Sequence, residues 1–287
     1  MKYKTAFLFL LVLMIFGCKR TEKGYEIEGI KATETEHVYE CTFAGDTRKF
    51  CLYLPEPAEG DLPLVIMLHG YAGSPEAFRR ETLMDEAACA RGYAVVYAGM
   101  AGVQWNTNMG PEGKPDVEWL SALAKYMKKN YHCDPKRIYV AGFSDGAFMS
   151  QRLALEAQDT FTAVCTVGGT AANTIWDARS QKADIGVMLM YGTEDGVFPS
   201  REKGTDHLSQ NPAIEVLLEY WVQANSLGDE ASETLSDRAT LTRYTSPAST
   251  KEVDRIVIDR YSHAWPEEKY CGFDPRKVIL DFFDRCR

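Results

Sequence analysis

The chain opens with an unbroken apolar stretch and then settles into short hydrophobic runs separated by longer amphipathic ones. Residues 38–43 and 49–54 alternate apolar and polar positions on either side of Ala44-Gly45-Asp46, which predicts an antiparallel hairpin at a sheet edge. Residues 64–68, 94–98, 138–141, 163–167 and 186–191 are continuous apolar runs of strand length, as expected for parallel strands covered on both faces. Helical periodicities lie between them. The clearest spans 116–131, where Val117, Leu120, Leu123, Ala124, Met127 and Tyr131 share one face, with Pro115-Asp116 at its start and Lys128-Lys129 at its end. A helix over 213–224, strands over 240–244 and 253–261, and a helix from about 275 to 285 complete the series. This alternation predicts an α/β fold with a mostly parallel central sheet, helices on both faces and the N-terminal hairpin at one edge. Functional groups are then expected in loops after the carboxyl ends of strands.

The N-terminal apolar stretch, 6–16, follows Lys2 and Lys4 and is too short to span a bilayer as a mature helix, so residues 1–17 read as an export signal. Ile15-Phe16-Gly17-Cys18 resembles a bacterial lipobox, which implies lipidation of Cys18, a membrane partner through that lipid, and a place in the bacterial cell envelope on its periplasmic or outer face. Residues 18–36 are polar with little to pack and are expected to be a flexible tether. One catalytic domain is expected over 37–287, since a chain of 287 residues with 45% apolar content can bury a single large core.

Charge narrows the partners. Forty-one acidic against 32 basic residues give a net charge of −9, and no basic run long enough to follow a phosphate backbone occurs, so nucleic acid is not expected. Besides Cys18 there are Cys41, Cys51, Cys89, Cys133, Cys165, Cys271 and Cys286, an odd set that cannot all pair. Cys41 with Cys51 and Cys271 with Cys286 are the pairs close enough in sequence to suspect of forming disulfides in an exported protein. No His/Cys spacing suggests a metal.

The chemistry concentrates where the run 138–141 enters Gly142-Phe143-Ser144-Asp145-Gly146 and then a helical stretch. A serine hydroxyl is a poor nucleophile unless held exposed beside a base, and a tight strand-to-helix turn does this only when its neighbours are small, here Gly142 and Gly146. The bland alternative makes Ser144 a helix N-cap. The following helix aims free N–H groups at the same spot, so the Asp145 N–H is one expected oxyanion donor; the other is the Tyr71 N–H in His69-Gly70-Tyr71-Ala72-Gly73, after the run 64–68. The side chain of His69 is expected to brace that loop. In folds built on such an elbow the acid and then the histidine follow the serine. That order leaves His207 and His263, and His263 is preferred because it follows a strand, whereas His207 sits in a polar stretch. In Gly192-Thr193-Glu194-Asp195, after the run 186–191, Glu194 and Asp195 compete for the acid, and Asp195 is preferred on position.

With these residues placed, the chain from about Arg48 onward resembles the esterase family of polyhydroxybutyrate depolymerases and feruloyl or acetylxylan esterases. The resemblance rests on 64–73, on Cys133-Asp134-Pro135-Lys136-Arg137-Ile138 leading into the elbow, on Gly192-Thr193-Glu194-Asp195 and on His263-Ala264-Trp265-Pro266. It implies an α/β-hydrolase fold and ester hydrolysis through an acyl-serine, with no cofactor and no metal. Trp105-Asn106 and Asp116-Val117 look like family positions near the substrate cleft, as does Trp265, although a packing tryptophan and a helix-starting aspartate explain the former two pairs equally well. Arg260-Tyr261-Ser262 and Glu267 stand where the family usually has glycines, which implies an altered cleft rim.

The expected substrates are feruloyl, acetyl or similar esters of plant polysaccharides or their fragments. A polyhydroxybutyrate depolymerase is the alternative, and the chain shows no Ser/Thr-rich linker or added polymer-binding module after His263 to favour it. A ligand-binding protein that keeps the fold without turnover is the alternative from another class, against which the complete set Ser144, Asp195 and His263 argues.

Overall fold

The computed structural model describes residues 24–108, 113–197 and 211–286. In chain order the first half holds strands β1 (Glu28–Ala32), β2 (Val38–Phe43), β3 (Asp46–Tyr53) and β4 (Leu62–Leu68), helices α1 (Pro75–Thr82) and α2 (Met84–Cys89), strand β5 (Ala94–Ala98), helix α3 (Asp116–Tyr131) and strand β6 (Cys133–Phe143). Then come α4 (Asp145–Glu156), β7 (Ala163–Val167), α5 (Asn173–Asp177), β8 (Gly186–Gly192), α6 (Ile214–Ala224), β9 (Asp229–Ser236), β10 (Ala239–Thr245), β11 (Val253–Ile258), α7 (Glu268–Cys271) and α8 (Pro275–Arg285). All the strands form one 11-stranded sheet, ordered β1-β2-β3-β5-β4-β6-β7-β8-β11-β10-β9.

The strands β5, β4, β6, β7, β8 and β11 run parallel. Their unbroken hydrophobicity has a direct cause, because alternate side chains enter two separate cores. Leu64, Ile66 and Leu68 pack with Trp119, Leu123, Leu153 and Trp221 from α3, α4 and α6, whereas Val65 and Met67 pack with Phe78, Met84, Ile279 and Phe283 from α1, α2 and α8. The predicted hairpin is β2 with β3, in the register Val38↔Cys51 to Phe43↔Asp46. It is not the sheet edge, since β1 pairs antiparallel outside β2. Glu28–Ala32 therefore belongs to the sheet rather than to a free tether: the mostly exposed strand is held by the backbone ladder, which hydrophobic pattern does not reveal. The export signal and Cys18 lie outside the described residues, as does His207. Among the described residues no helix is long and apolar enough to cross a membrane.

The seven described cysteines are free thiols. Cys41 and Cys51 cannot meet because they point to opposite faces of the sheet, one into each core. Cys271 is occupied locally, its Sγ donating to the carbonyl oxygens of Glu267 and Phe273, each at 3.2 Å.

Candidate active site

Strand β6 ends at Phe143 and α4 begins at Asp145, leaving Ser144 alone on the turn with φ 53° and ψ −117°. A non-glycine residue at positive φ is strained, and such strain persists only where the surroundings fix it. Here the Ser144 N–H donates to Val167 O at 2.9 Å, and Ala147 and Phe148 donate back to Ser144 O at 2.8 and 3.1 Å. The flanking glycines are sterically required. A Cβ on Gly142 would run into the Gly146 carbonyl and Ser150 Oγ, and one on Gly146 would strike the carbonyls of Leu68 and His69.

Three carboxyl-end loops converge on this turn. His263, after β11, places Nε2 2.8 Å from Ser144 Oγ and Nδ1 2.8 Å from Asp195 Oδ2, in the loop after β8. Asp195 is 3% exposed, and its Oδ1 accepts the Val197 N–H at 2.9 Å, which fixes the carboxylate plane. Glu194, the competing carboxylate, is exposed, and its N–H donates to Tyr261 O at 3.0 Å. Strand β11 stops at Ile258, short of the expected 261, because Arg260 turns the chain at φ 50°. Its N–H donates to Thr193 Oγ1 at 2.8 Å and ties the histidine loop to the acid loop.

The loop after β4 lies against Ser144: a Cβ on Gly70 would come 3.3 Å from Ser144 Cβ. The Ala72 N–H is engaged with Val103 O at 2.7 Å and the Gly73 N–H with Gly70 O at 3.1 Å. His69 is buried and its Nδ1 lies 2.9 Å from Gly70 O, within the same loop. Burial pulls the His69 pKa down, while the Gly70 carbonyl pushes it the other way.

Two expected cleft residues sit elsewhere. Trp105 and Trp265 are only 1% and 3% exposed, so neither offers its ring to a substrate. Trp105 Nε1 donates to His69 O at 2.9 Å, and Trp265 packs edge-on against Phe78 and Phe143. Both are bulky enough that the core beneath the loops claims them. Asn106 is partly exposed, and with Val103, Gln104 and Lys114 it lines a cavity of about 220 Å³.

Three features escaped the sequence reading. Phe143 stacks on the His263 ring with centroids 5.0 Å apart, although as an elbow residue it read only as a spacer. Gly168, at φ +63°, leaves room for the imidazole: a Cβ there would lie 3.2 Å from His263 Cε1. Its signal was the Gly168-Gly169 pair at the end of a strand run. Finally, the Asp145 carboxylate accepts the Trp105 N–H at 2.6 Å, Asp116 accepts the Asn106 N–H at 2.7 Å, and Arg152 donates to Asn106 O at 2.6 Å. Burial raises the Asp145 pKa to about 6, with Trp105 N–H opposing and Asp116 adding to the rise. Asp116 in turn pairs with the fully buried Arg48 at 2.7 Å. Among the described residues no His, Cys, Asp and Glu cluster could hold a metal ion.

The Esterase PHB depolymerase family model matches residues 48–198, which span the turn at Ser144, the loop after β4 and Asp195. The chain belongs to this family. Its curated relatives include the putative esterase NocK of Nocardia uniformis subsp. tsuyamanensis, 32% identical over 63% of this chain and 54% of that protein. A bifunctional acetylxylan esterase/xylanase of Neocallimastix patriciarum is 26% identical over 54% of this chain and 22% of its own length. Feruloyl esterase B of Piromyces equi is 28% identical over 52% and 30% respectively. This family member thus spans about half the length of the first relative and under a third of the others.

Solved structures agree on the α/β-hydrolase fold. An acetyl xylan esterase from Aspergillus awamori superposes with a TM-score of 0.62 at 14% identity, covering 83% of this chain and 94% of that one. The feruloyl esterase module from Clostridium thermocellum superposes at 0.58 with 12% identity, covering 91% and 95%.

Proposed function

We propose that this protein is a serine esterase that hydrolyses carboxylic esters through an acyl-Ser144 intermediate. One observation carries the reading: the unbroken hydrogen-bonded chain from Ser144 Oγ through His263 to Asp195, with both links at 2.8 Å. In this reading His263 Nε2 takes the hydroxyl proton as Oγ attacks the ester carbonyl. Asp195 accepts the Nδ1–H, which fixes the tautomer and stabilises the imidazolium. The carbonyl oxygen becomes an oxyanion, received by the N–H groups of Tyr71 and Asp145 and by the positive end of α4. Collapse of the adduct returns the proton to the leaving alcohol, and water repeats the sequence on the acyl-enzyme.

The preferred substrates are acyl esters of plant polysaccharides or their fragments, which the names of the acetylxylan and feruloyl esterase relatives support. Export by the N-terminal signal, with lipid on Cys18 holding the enzyme in the cell envelope, belongs to the same proposal. The test is a comparison of kcat/KM on methyl ferulate, acetylated xylan, nitrophenyl acetate and hydroxybutyrate oligomers. Preference for the first two is expected. Fastest turnover of hydroxybutyrate oligomers would make the protein a polyester depolymerase instead, the reading that the family's own description favours.

A further inference from the structure

The exposed large apolar side chains among the described residues are Tyr71, Val103, Val197 and Tyr270. Tyr71, Val103 and Val197 lie in the loops that follow β4, β5 and β8, at the carboxyl ends of the parallel strands, and Tyr270 lies in α7 beyond β11.

Tyr71 follows Gly70, which abuts Ser144, and Val103 lies in the loop after β5, the strand beside β4. Tyr71 is 65% exposed and Val103 57%. Their loops are joined by the Ala72 N–H donating to Val103 O at 2.7 Å, which ties the backbone next to Tyr71 to that of Val103. Gly70, the residue before Tyr71, packs its Cα side against Ser144, where an added Cβ would be 3.3 Å from the serine Cβ. A phenol ring is thus anchored one residue from the contact with the nucleophile. Trp105, the alternative aromatic in this region, is fully buried and committed to His69 O.

Resting on the esterase reading, we infer that Tyr71 and Val103 form an acyl-side subsite that selects esters of aromatic acids over acetyl esters. The geometry gives the reason. In the reaction the acyl carbon bonds to Ser144 Oγ while its oxygen turns to the Tyr71 N–H, so the rest of the acyl group extends from a point beside the Tyr71 backbone. An aryl ring conjugated to that carbonyl reaches the Tyr71 ring and the Val103 methyls, whereas an acetyl methyl stops short. Ring-on-ring contact adds to the area buried and favours offset or edge-on arrangements that a partly free tyrosine can adopt. The Ala72–Val103 hydrogen bond ties the two backbones together, so only the side chains are left for the substrate to order.

The test uses two esters of one alcohol, methyl cinnamate and methyl acetate, and reads the ratio of their kcat/KM values. A shared alcohol and a shared oxyanion make the ratio insensitive to damage in the catalytic groups. Tyr71→Ala is expected to lower the cinnamate-to-acetate ratio about tenfold, Val103→Ala to lower it about threefold, and Tyr71→Phe to leave it within about twofold, because the ring and not its hydroxyl makes the contact. Both positions are exposed, so folding is not at stake, and thermal unfolding of each variant checks this. An unchanged ratio in Tyr71→Ala and Val103→Ala overturns the inference even if both rates fall together. If the unmodified protein cleaves neither ester while folded, the esterase reading itself fails and the inference with it.

Discussion

The Phe143 ring lies stacked on the His263 imidazole, centroids 5.0 Å apart and planes 29° from parallel. Phe143 meets Trp265 edge-on at 6.5 Å, and Trp265 meets Phe78 at 5.4 Å, so a file of aromatic rings runs from the α1 face to the histidine. The file holds the imidazole against rotation away from Ser144. Phe143→Ala is expected to lower kcat about tenfold with a smaller effect on KM, since orientation and not ground-state binding is lost. Equal kcat in the variant and the parent would show that the two bonds to His263 suffice.

Trp265 is the middle ring of the same file, between Phe143 and Phe78. Trp265→Ala should cost about 3–5 kcal/mol of unfolding free energy, the usual range for truncating a buried large aromatic. Urea titration followed by far-UV circular dichroism measures it. A loss under about 1 kcal/mol would mean that the loop over Trp265 collapses freely into the vacated space.

Asp195→Asn separates geometry from electrostatics. The amide can keep contact with His263 Nδ1, but it holds the wrong tautomer and cannot stabilise an imidazolium. A kcat lower by about 10³–10⁴ is expected, with the thermal midpoint little changed. Retained activity would point to exposed Glu194 as the working acid.

Gly168 tests how closely the acid and base are packed. At φ +63° an alanine is strained, and its Cβ would lie 3.1 Å from Asp195 Oδ2 and 3.2 Å from His263 Nδ1. Gly168→Ala should destabilise by about 1–2 kcal/mol and lower kcat by more than that loss of stability explains. A fully active variant would indicate that the histidine loop shifts without penalty.

The pH dependence of stability is expected to carry the mark of Asp145. Burial lifts its carboxyl to about 6 in the folded protein. An unfolded aspartate titrates near roughly pH 4, so between those values the folded state binds the extra proton. Its contribution is therefore full below about pH 4 and is lost as pH rises through about 6. Asp145→Asn removes this slope while Asn can still accept the Trp105 N–H. Measured between pH 4 and 7, the parent should lose on the order of 2 kcal/mol relative to the variant. Parallel profiles would contradict the assignment.

Much of this was legible in the sequence, and the failures have physical causes. The helix predicted over 116–131 coincides with α3, because its apolar stripe is regular and its ends are marked by charge. The elbow was legible because glycine spacing reports steric demand directly. Strands β1 and β9 were not seen. Glu28–Ala32 and Asp229–Ser236 are edge strands exposed for most of their length, and a strand without a buried face shows no alternation to read. Spacing suggested joining Cys41 to Cys51, but the hairpin register sends their side chains to opposite sides of the sheet. Trp105 and Trp265 were placed at the cleft by resemblance, whereas sequence alone does not say which side of a loop a large ring takes. Phe143 carried no signal at all, since its partner His263 lies 120 residues away in the chain and meets it only in the folded sheet.

The central claim is that His263 and Asp195 make Ser144 a nucleophile. Treating the folded protein with a fluorophosphonate and reading its intact mass and modified peptide tests this most directly. The account predicts one adduct, located on Ser144, whose rate of formation falls by at least about a hundredfold in His263→Ala and which is absent in Ser144→Ala. Labelling that persists in Ser144→Ala, or no labelling of the folded protein, would contradict it.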